Sequence, residues 1–155
     1  SGLARADEGE VLCCKKEIQA YRSEYLQDLS YIAHANGIKM ELTALENLDM
    51  TRALCTRLSK TSSEQALDCF GLLDYRDRTA TNMSSGQRRR LALSRLLLSE
   101  ARLWLVDEPF TSLDEDSKGT VRDMLIKHTD SGGCVIITTH EAINWQHAKV
   151  RKIEL

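Results

Sequence analysis

The residues best suited to chemistry lie between Met83 and His140. The apolar run Leu103-Trp104-Leu105-Val106 ends abruptly in Asp107-Glu108-Pro109. A strand ending in aspartate sets that carboxylate at a sheet edge, where it can hold Mg2+ directly or through water. The next carboxylate points elsewhere and can orient or deprotonate a water attacking a phosphoryl group. The plain alternative is a strand leaving the core, with acids in its loop. Upstream, Ser84-Ser85-Gly86-Gln87 opens an amphipathic helix. Free backbone N–H groups, the positive end of the dipole and two hydroxyls make an anion site. An isolated Ser-Ser-Gly is more commonly an ordinary cap. For Arg88, Arg89 and Arg90 a solvated face is expected, with an anion clamp as the alternative. His140 closes a second apolar run and could meet a terminal phosphate and align a water; a lone histidine is otherwise structural. Ser112-Leu113-Asp114 reads as a turn and helix cap.

Strands and helices must alternate to position these groups. Glu10–Cys13 is a candidate short strand, after a small polar loop from Ser1 to Gly9. Leu29–Ala33 is β-rich and enters the turn composition His34-Ala35-Asn36-Gly37. Thr43-Ala44-Leu45-Glu46 has the capping-box form, so a helix is expected from Thr43 to Leu58. Ser62 or Ser63 caps a further helix that ends at Gly71. From Gly86, Leu91, Ala92, Leu96 and Leu97 recur at helical spacing. Leu103–Val106, too short for a helix and apolar throughout, reads as a parallel strand covered on both faces. A helix over Ser117–His128, a strand over Cys134–Thr138, a short helix over Glu141–His147 and an edge strand over Lys149–Leu155 complete the expectation. This alternation predicts an α/β protein with a mostly parallel sheet. Ligands of such sheets collect at the carboxyl ends of the strands, where Asp107, Glu108, His140 and the 34–37 loop fall.

With 155 residues the chain is the size of one domain. Its formal charge of −2 gives no general affinity for nucleic acid or an anionic membrane. No apolar run reaches the roughly 18 residues that a membrane span needs. The five cysteines are odd in number and without C-x-x-C spacing, which favours ordinary reduced thiols over a zinc site.

Order and spacing together narrow these alternatives. Ser-x-Gly-Gln opens a helix; an apolar strand ending in Asp-Glu-Pro follows; Ser-Leu-Asp comes next; a later strand ends in His. This arrangement resembles the ATP-binding-cassette (ABC) ATPases over nearly the whole chain. The resemblance implies a P-loop NTPase-type α/β fold in a single partial domain over 1–155. A helical subdomain at about 41–100 would lie between the two parts of a catalytic core, 10–40 and 101–155. It implies ATP and Mg2+ as cofactors. Met83–Gln87 resembles the signature motif, so Ser84, Ser85, Gly86 and Gln87 would contact the γ-phosphate held by a second ATPase subunit. Leu103–Asp107 resembles the Walker B strand, with Asp107 serving the metal and Glu108 as catalytic base. Ser112-Leu113-Asp114 resembles the D-loop at the dimer seam, and His140 the switch histidine.

A narrower likeness rests on Ile32–Lys39, Leu42–Leu48, Trp104, Glu108-Pro109-Phe110-Thr111 and Thr138-Thr139-His140. These are similar to the haem-exporter ATP-binding subunits of bacterial cytochrome c maturation. That family implies an ATPase on the cytoplasmic face of the bacterial inner membrane, bound to integral membrane transporter subunits and without a span of its own. Its cycle drives release or remodelling of a haem–chaperone complex, and no haem ligand is assigned on this chain. The alternatives are the ATPase subunit of another ABC transporter and a non-catalytic half-site partner. A DNA-repair or chromosome-structure ATPase is disfavoured, because no long heptad region separates the motifs.

Three departures from the family pattern stand out. G-x-x-x-x-G-K-[ST], the Walker A loop that cradles phosphates, does not occur in the sequence. The chain is therefore expected to be truncated at its N-terminus, to lack a central strand and to be inactive by itself. Ala35 stands where the Q-loop glutamine is expected, with Asn36 beside it as a possible substitute. Met83 and Ser85 replace a leucine and a glycine of the signature, while Ser84 and Gly86 are retained.

Overall fold

The computed structural model describes Gly2, residues 6–140, Val150, Arg151 and Ile153. The expected helix over Glu141–His147 lies outside these residues, as does most of the expected strand over Lys149–Leu155. A parallel sheet is built from β3 (Leu29–Ile32), β4 (Leu103–Asp107) and β5 (Cys134–Thr138), in the order β3-β4-β5. Its register aligns Leu29 with Leu103 and Cys134, and carries Asp107 opposite Thr138 at the carboxyl edge. The α/β reading and all three strand positions agree with the sequence. The N-terminal strand forms within the expected Glu10–Cys13, over Leu12–Cys13, but outside this sheet. β1 (Leu12–Cys13) pairs antiparallel with β2 (Lys16–Glu17) in a separate ribbon, turned by Cys14 and Lys15 at φ 52° and 64°. Two successive left-handed residues match the twist of a tight hairpin.

Between β3 and β4 the chain is helical. After α1 (Arg22–Gln27), which precedes β3, come α2 (Ala44–Leu54), α3 (Ser63–Cys69) and α4 (Ser85–Ser94), the last running on as a 3-10 turn over Arg95–Leu98. Each of α2, α3 and α4 starts with a reciprocal capping box. Thr43 Oγ1 accepts from the Glu46 amide at 3.2 Å while Glu46 accepts from the Thr43 amide at 2.8 Å. Ser62 with Gln65, and Ser84 with Gln87, repeat the arrangement. Gly71 follows α3 at φ 61°, its amide donating to the Asp68 carbonyl at 2.9 Å, as a left-handed helix end requires. Helix α2 stops short of the expected Leu58. Residues 58–59 are drawn instead into pairing with the segment after α4: Leu58 bridges Ser99, and the Ser59 amide donates to the Leu98 carbonyl at 3.0 Å. Tertiary pairing overrides the local helical preference there.

One core joins the helices to one face of the sheet. Leu48, Leu67, Leu91, Leu93, Leu96, Leu98, Val121 and Leu125 are fully buried in it, beneath Ile32, Trp104 and Val106. Each such leucine contributes about 1.5–3 kcal/mol of burial. α5 (Glu115–Asp130) connects β4 to β5 on that face, presenting Val121, Met124 and Leu125. The expectation that β4 is covered on both faces is not met among the described residues. Burial alternates along the strand, with Trp104 and Val106 buried and Leu103, Leu105 and Asp107 half-buried.

His128, in the last turn of α5, lies parallel to the Trp104 indole with ring centroids 3.7 Å apart, and its Nε2 sits 3.1 Å from the Arg102 carbonyl oxygen. A Cβ on Gly133 would fall 2.1 Å from that Nε2, so the stack needs a glycine there.

Candidate functional site

The strand ends bring the carboxylates and the histidine together. Asp107 is the last residue of β4, and its Oδ1 accepts a hydrogen bond from the Thr138 hydroxyl on the neighbouring strand. The Glu108 amide donates to the Thr138 carbonyl at 3.0 Å. Glu108 then takes φ 49°, in the left-handed region. Such a conformation costs a non-glycine residue about 1–3 kcal/mol, and it persists only where the surroundings enforce it. It aims the carboxylate toward β5, where Glu108 Oε1 lies 3.5 Å from His140 Nε2. The Glu108 side chain is 16% exposed and that of His140 fully exposed. A sheltered carboxylate beside an open imidazole can accept a proton from a water that the imidazole helps to orient.

Arg89 contacts the backbone of this turn. It projects from α4 into the core side, 4% exposed, and its Nη1 and Nη2 donate to oxygen acceptors while the buried Nε makes no hydrogen bond among the described residues. Nη2 donates to the carbonyls of Asp107 and of Glu108, the latter at 2.9 Å. Nη1 donates to the Ala33 carbonyl at 3.1 Å and to Asn36 Oδ1 at 2.9 Å. Burial pulls the Arg89 guanidinium below its usual value, and the nearby charges of Asp107 and Glu108 oppose that shift. The expectation of a solvated arginine face is thus corrected. Arg88 donates to the Met83 carbonyl at 2.6 Å and Arg90 to the Phe70 carbonyl at 3.1 Å. All three arginines donate to backbone carbonyls. The signal for Arg89 was its place on the apolar stripe of α4, four residues before Leu93. Asn36, which stands beside the position of the missing glutamine, has its side-chain oxygen engaged by Arg89.

The helix start at Ser84 is a reciprocal cap on an exposed turn. Ser84 Oγ accepts from the Gln87 amide at 3.1 Å, and Gln87 Oε1 accepts from the Ser84 amide at 2.9 Å. The first-turn amides of Ser85 and Gly86 have no intrahelical acceptor, as at any helix start. Gly86 is also where α4 meets the loop after β4. A Cβ there would stand 2.7 Å from the Ser112 carbonyl oxygen, and Ser112 itself has φ 64°. Ser84–Gln87 and Ser112–Asp114 therefore form one continuous surface. Asp114 caps α5, accepting from the Ser117 amide at 2.8 Å. Hydrogen bonds from the Ser117 side chain and amide hold its carboxyl below the usual carboxylate range.

Among the described residues no three metal-ligating side chains gather. At Asp107 one carboxylate oxygen is fixed by Thr138 and the other makes no hydrogen bond among the described residues, which leaves that oxygen able to ligate a hard divalent cation. Magnesium is commonly held by one or two carboxylates with the remaining ligands from phosphate and water. The sequence alone did not link Arg89 to the backbone of Asp107 and Glu108, nor Thr138 to the Asp107 carboxylate.

A family model described as "ABC transporter" matches residues 1–111. The chain is 40% identical over 153 residues to the cytochrome c biogenesis ATP-binding export protein CcmA of Yersinia pestis bv. Antiqua (strain Nepal516), covering 99% of this chain and 70% of the relative. It is 41% identical over 160 residues to the protein of that name from Escherichia coli (strain K12), covering 100% and 73%. Among solved structures it resembles a dimeric ATP-binding cassette in a post-hydrolysis state bound to ADP and Pi, with a TM-score of 0.73 and 22% identity. That likeness covers 90% of this chain and 66% of the cassette, just under two thirds of its length. A putative ABC transporter ATP-binding protein from Pyrococcus furiosus gives a TM-score of 0.70 and 20% identity over 89% of this chain and 68% of that one. At these identities the solved structures establish the fold alone. From the family match and the extent of its curated relatives, the chain belongs to the ABC transporter family of ATP-binding proteins, and the two curated relatives described here are CcmA proteins.

Proposed function

We propose that this chain carries the hydrolytic half of an ATP-binding subunit whose transporter serves haem export and cytochrome c biogenesis. The observation that carries this reading is the meeting of Asp107, Glu108 and His140 at one sheet edge, with Glu108 3.5 Å from His140. Glu108 takes a proton from the attacking water, and its sheltered carboxylate is kept in place by the strand pairing beneath it. His140 aligns that water and the phosphate it attacks. Asp107 is the residue for Mg2+, which when bound with ATP supplies charge neutralisation at the phosphates. Ser84, Ser85, Gly86 and Gln87 face a nucleotide held by a second ATPase subunit, with Asp114 at the seam. Residues 41–100 form the helical subdomain and 10–40 with 101–155 the core. The other partners are integral membrane subunits, at the cytoplasmic face of the bacterial inner membrane. No described helix is long and apolar enough to cross a membrane.

The 155 residues contain no G-x-x-x-x-G-K-[ST] loop, and by themselves they are proposed not to turn over ATP. Their exposed helix start at Ser84 remains available to a partner's nucleotide. The test mixes the chain with a full-length ABC ATPase subunit and measures association by analytical ultracentrifugation. Association is expected with ATP and Mg2+, not with ADP, and Ser84→Arg is expected to abolish it. Association indifferent to nucleotide, or to Ser84→Arg, would contradict the two-subunit reading.

A further inference from the structure

Arg89 is the buried charge that the proposed reaction does not use. Its two terminal nitrogens are divided between two loops. Nη1 holds the segment after β3, at the Ala33 carbonyl and Asn36 Oδ1; Nη2 holds the carbonyls of Asp107 and Glu108. Its anchor is firm, because the neighbouring α4 residues Leu91, Ala92 and Leu93 are fully buried. The residue it grips is one that needs holding, since Glu108 sits at φ 49°.

We propose that Arg89 is a positioning residue for the Glu108 carboxylate: one guanidinium ties the 33–37 loop to the Glu108 backbone and keeps the side chain directed at His140. This rests on the reading of Glu108 as the base. The chemistry of the site selects arginine. Acceptors on two sides need a planar fork with separate N–H pairs, whereas a lysine ammonium is a single point of donation that serves one loop or the other. A residue that merely fills space at this position would be replaceable by lysine. The shared guanidinium also makes Glu108 depend on Asn36, which does not touch it.

Amide hydrogen exchange followed by NMR tests this on the 155-residue chain without nucleotide. The reporter is the Glu108 amide, which donates to the Thr138 carbonyl at 3.0 Å. Arg89→Lys and Asn36→Ala are each expected to speed its exchange by about tenfold or more, the scale of losing a charge-assisted hydrogen bond. The amides of Leu91–Leu93 should keep their wild-type rates. Millimolar guanidinium ion should slow Glu108 exchange again in Arg89→Ala. The proposal is overturned if Glu108 keeps its wild-type rate in both variants. It is equally overturned if the amides of Leu91–Leu93 accelerate as much as that of Glu108. Should the Arg89 variants fail to fold, Asn36→Ala decides alone by the same criteria. Because no nucleotide enters the measurement, failure here is distinct from failure of the ATP-dependent association.

Discussion

Gly86 and Ser112 are in backbone contact: a Cβ added to Gly86 would lie 2.7 Å from the Ser112 carbonyl oxygen. The start of α4 and the loop after the carboxylates are therefore locked as one surface. In an unconstrained helix Gly→Ala stabilises by about 0.5–1 kcal/mol. Here the sign should reverse. Forcing the Ser112 backbone aside costs about 1–3 kcal/mol, so Gly86→Ala should lower the urea midpoint, whereas Ser85→Ala should leave it nearly unchanged.

Ser84 is assigned two roles, and they can be separated. As a cap it resembles Thr43, so Ser84→Ala and Thr43→Ala should each cost about 1 kcal/mol in denaturant unfolding. Only Ser84→Ala should also weaken ATP-dependent association with a second subunit. Equal effects of the two variants on association would reduce Ser84 to a cap.

His128 makes stability depend on pH. Burial lowers its pKa from the ordinary value of about 6.5. The folded state thus binds the proton less readily than the unfolded state. The stabilisation is full above about pH 6.5 and is lost as the pH falls below it, through the lowered folded value. The melting temperature should drop between pH 8 and pH 5, and His128→Phe should shrink that drop while keeping a ring against Trp104. Gly133→Ala, which pushes a methyl into the imidazole, should disturb Trp104 fluorescence at every pH.

The carboxylates were legible because their signal is local. An apolar run broken by Asp107-Glu108 has few readings, and the register of β4 with β5 places Asp107 beside Thr138 at the sheet edge. The caps at Thr43, Ser62 and Ser84 were legible for the same reason, each being set by residues three apart. What escaped depends on distant partners. Arg89 stands on the apolar stripe of α4, but its partners emerge only where the Asn36 and Glu108 loops converge on it. The early end of α2 reflects pairing of Leu58 with Ser99, which no local pattern encodes. The alternating burial of β4 escaped as well, because an unbroken apolar run cannot distinguish one covered face from two.

The role of Glu108 is tested most directly by phosphate release from a fusion. A segment bearing G-x-x-x-x-G-K-[ST], taken from a full-length ABC ATPase, is joined ahead of Ser1, and ATP turnover is measured with Mg2+. The fusion is expected to hydrolyse ATP, the 155-residue chain alone to release no phosphate above background, and Glu108→Gln to slow the fusion by about 100-fold or more, the scale of losing a general base. Turnover by the fusion that is unchanged in Glu108→Gln would contradict the assignment of Glu108 as the base.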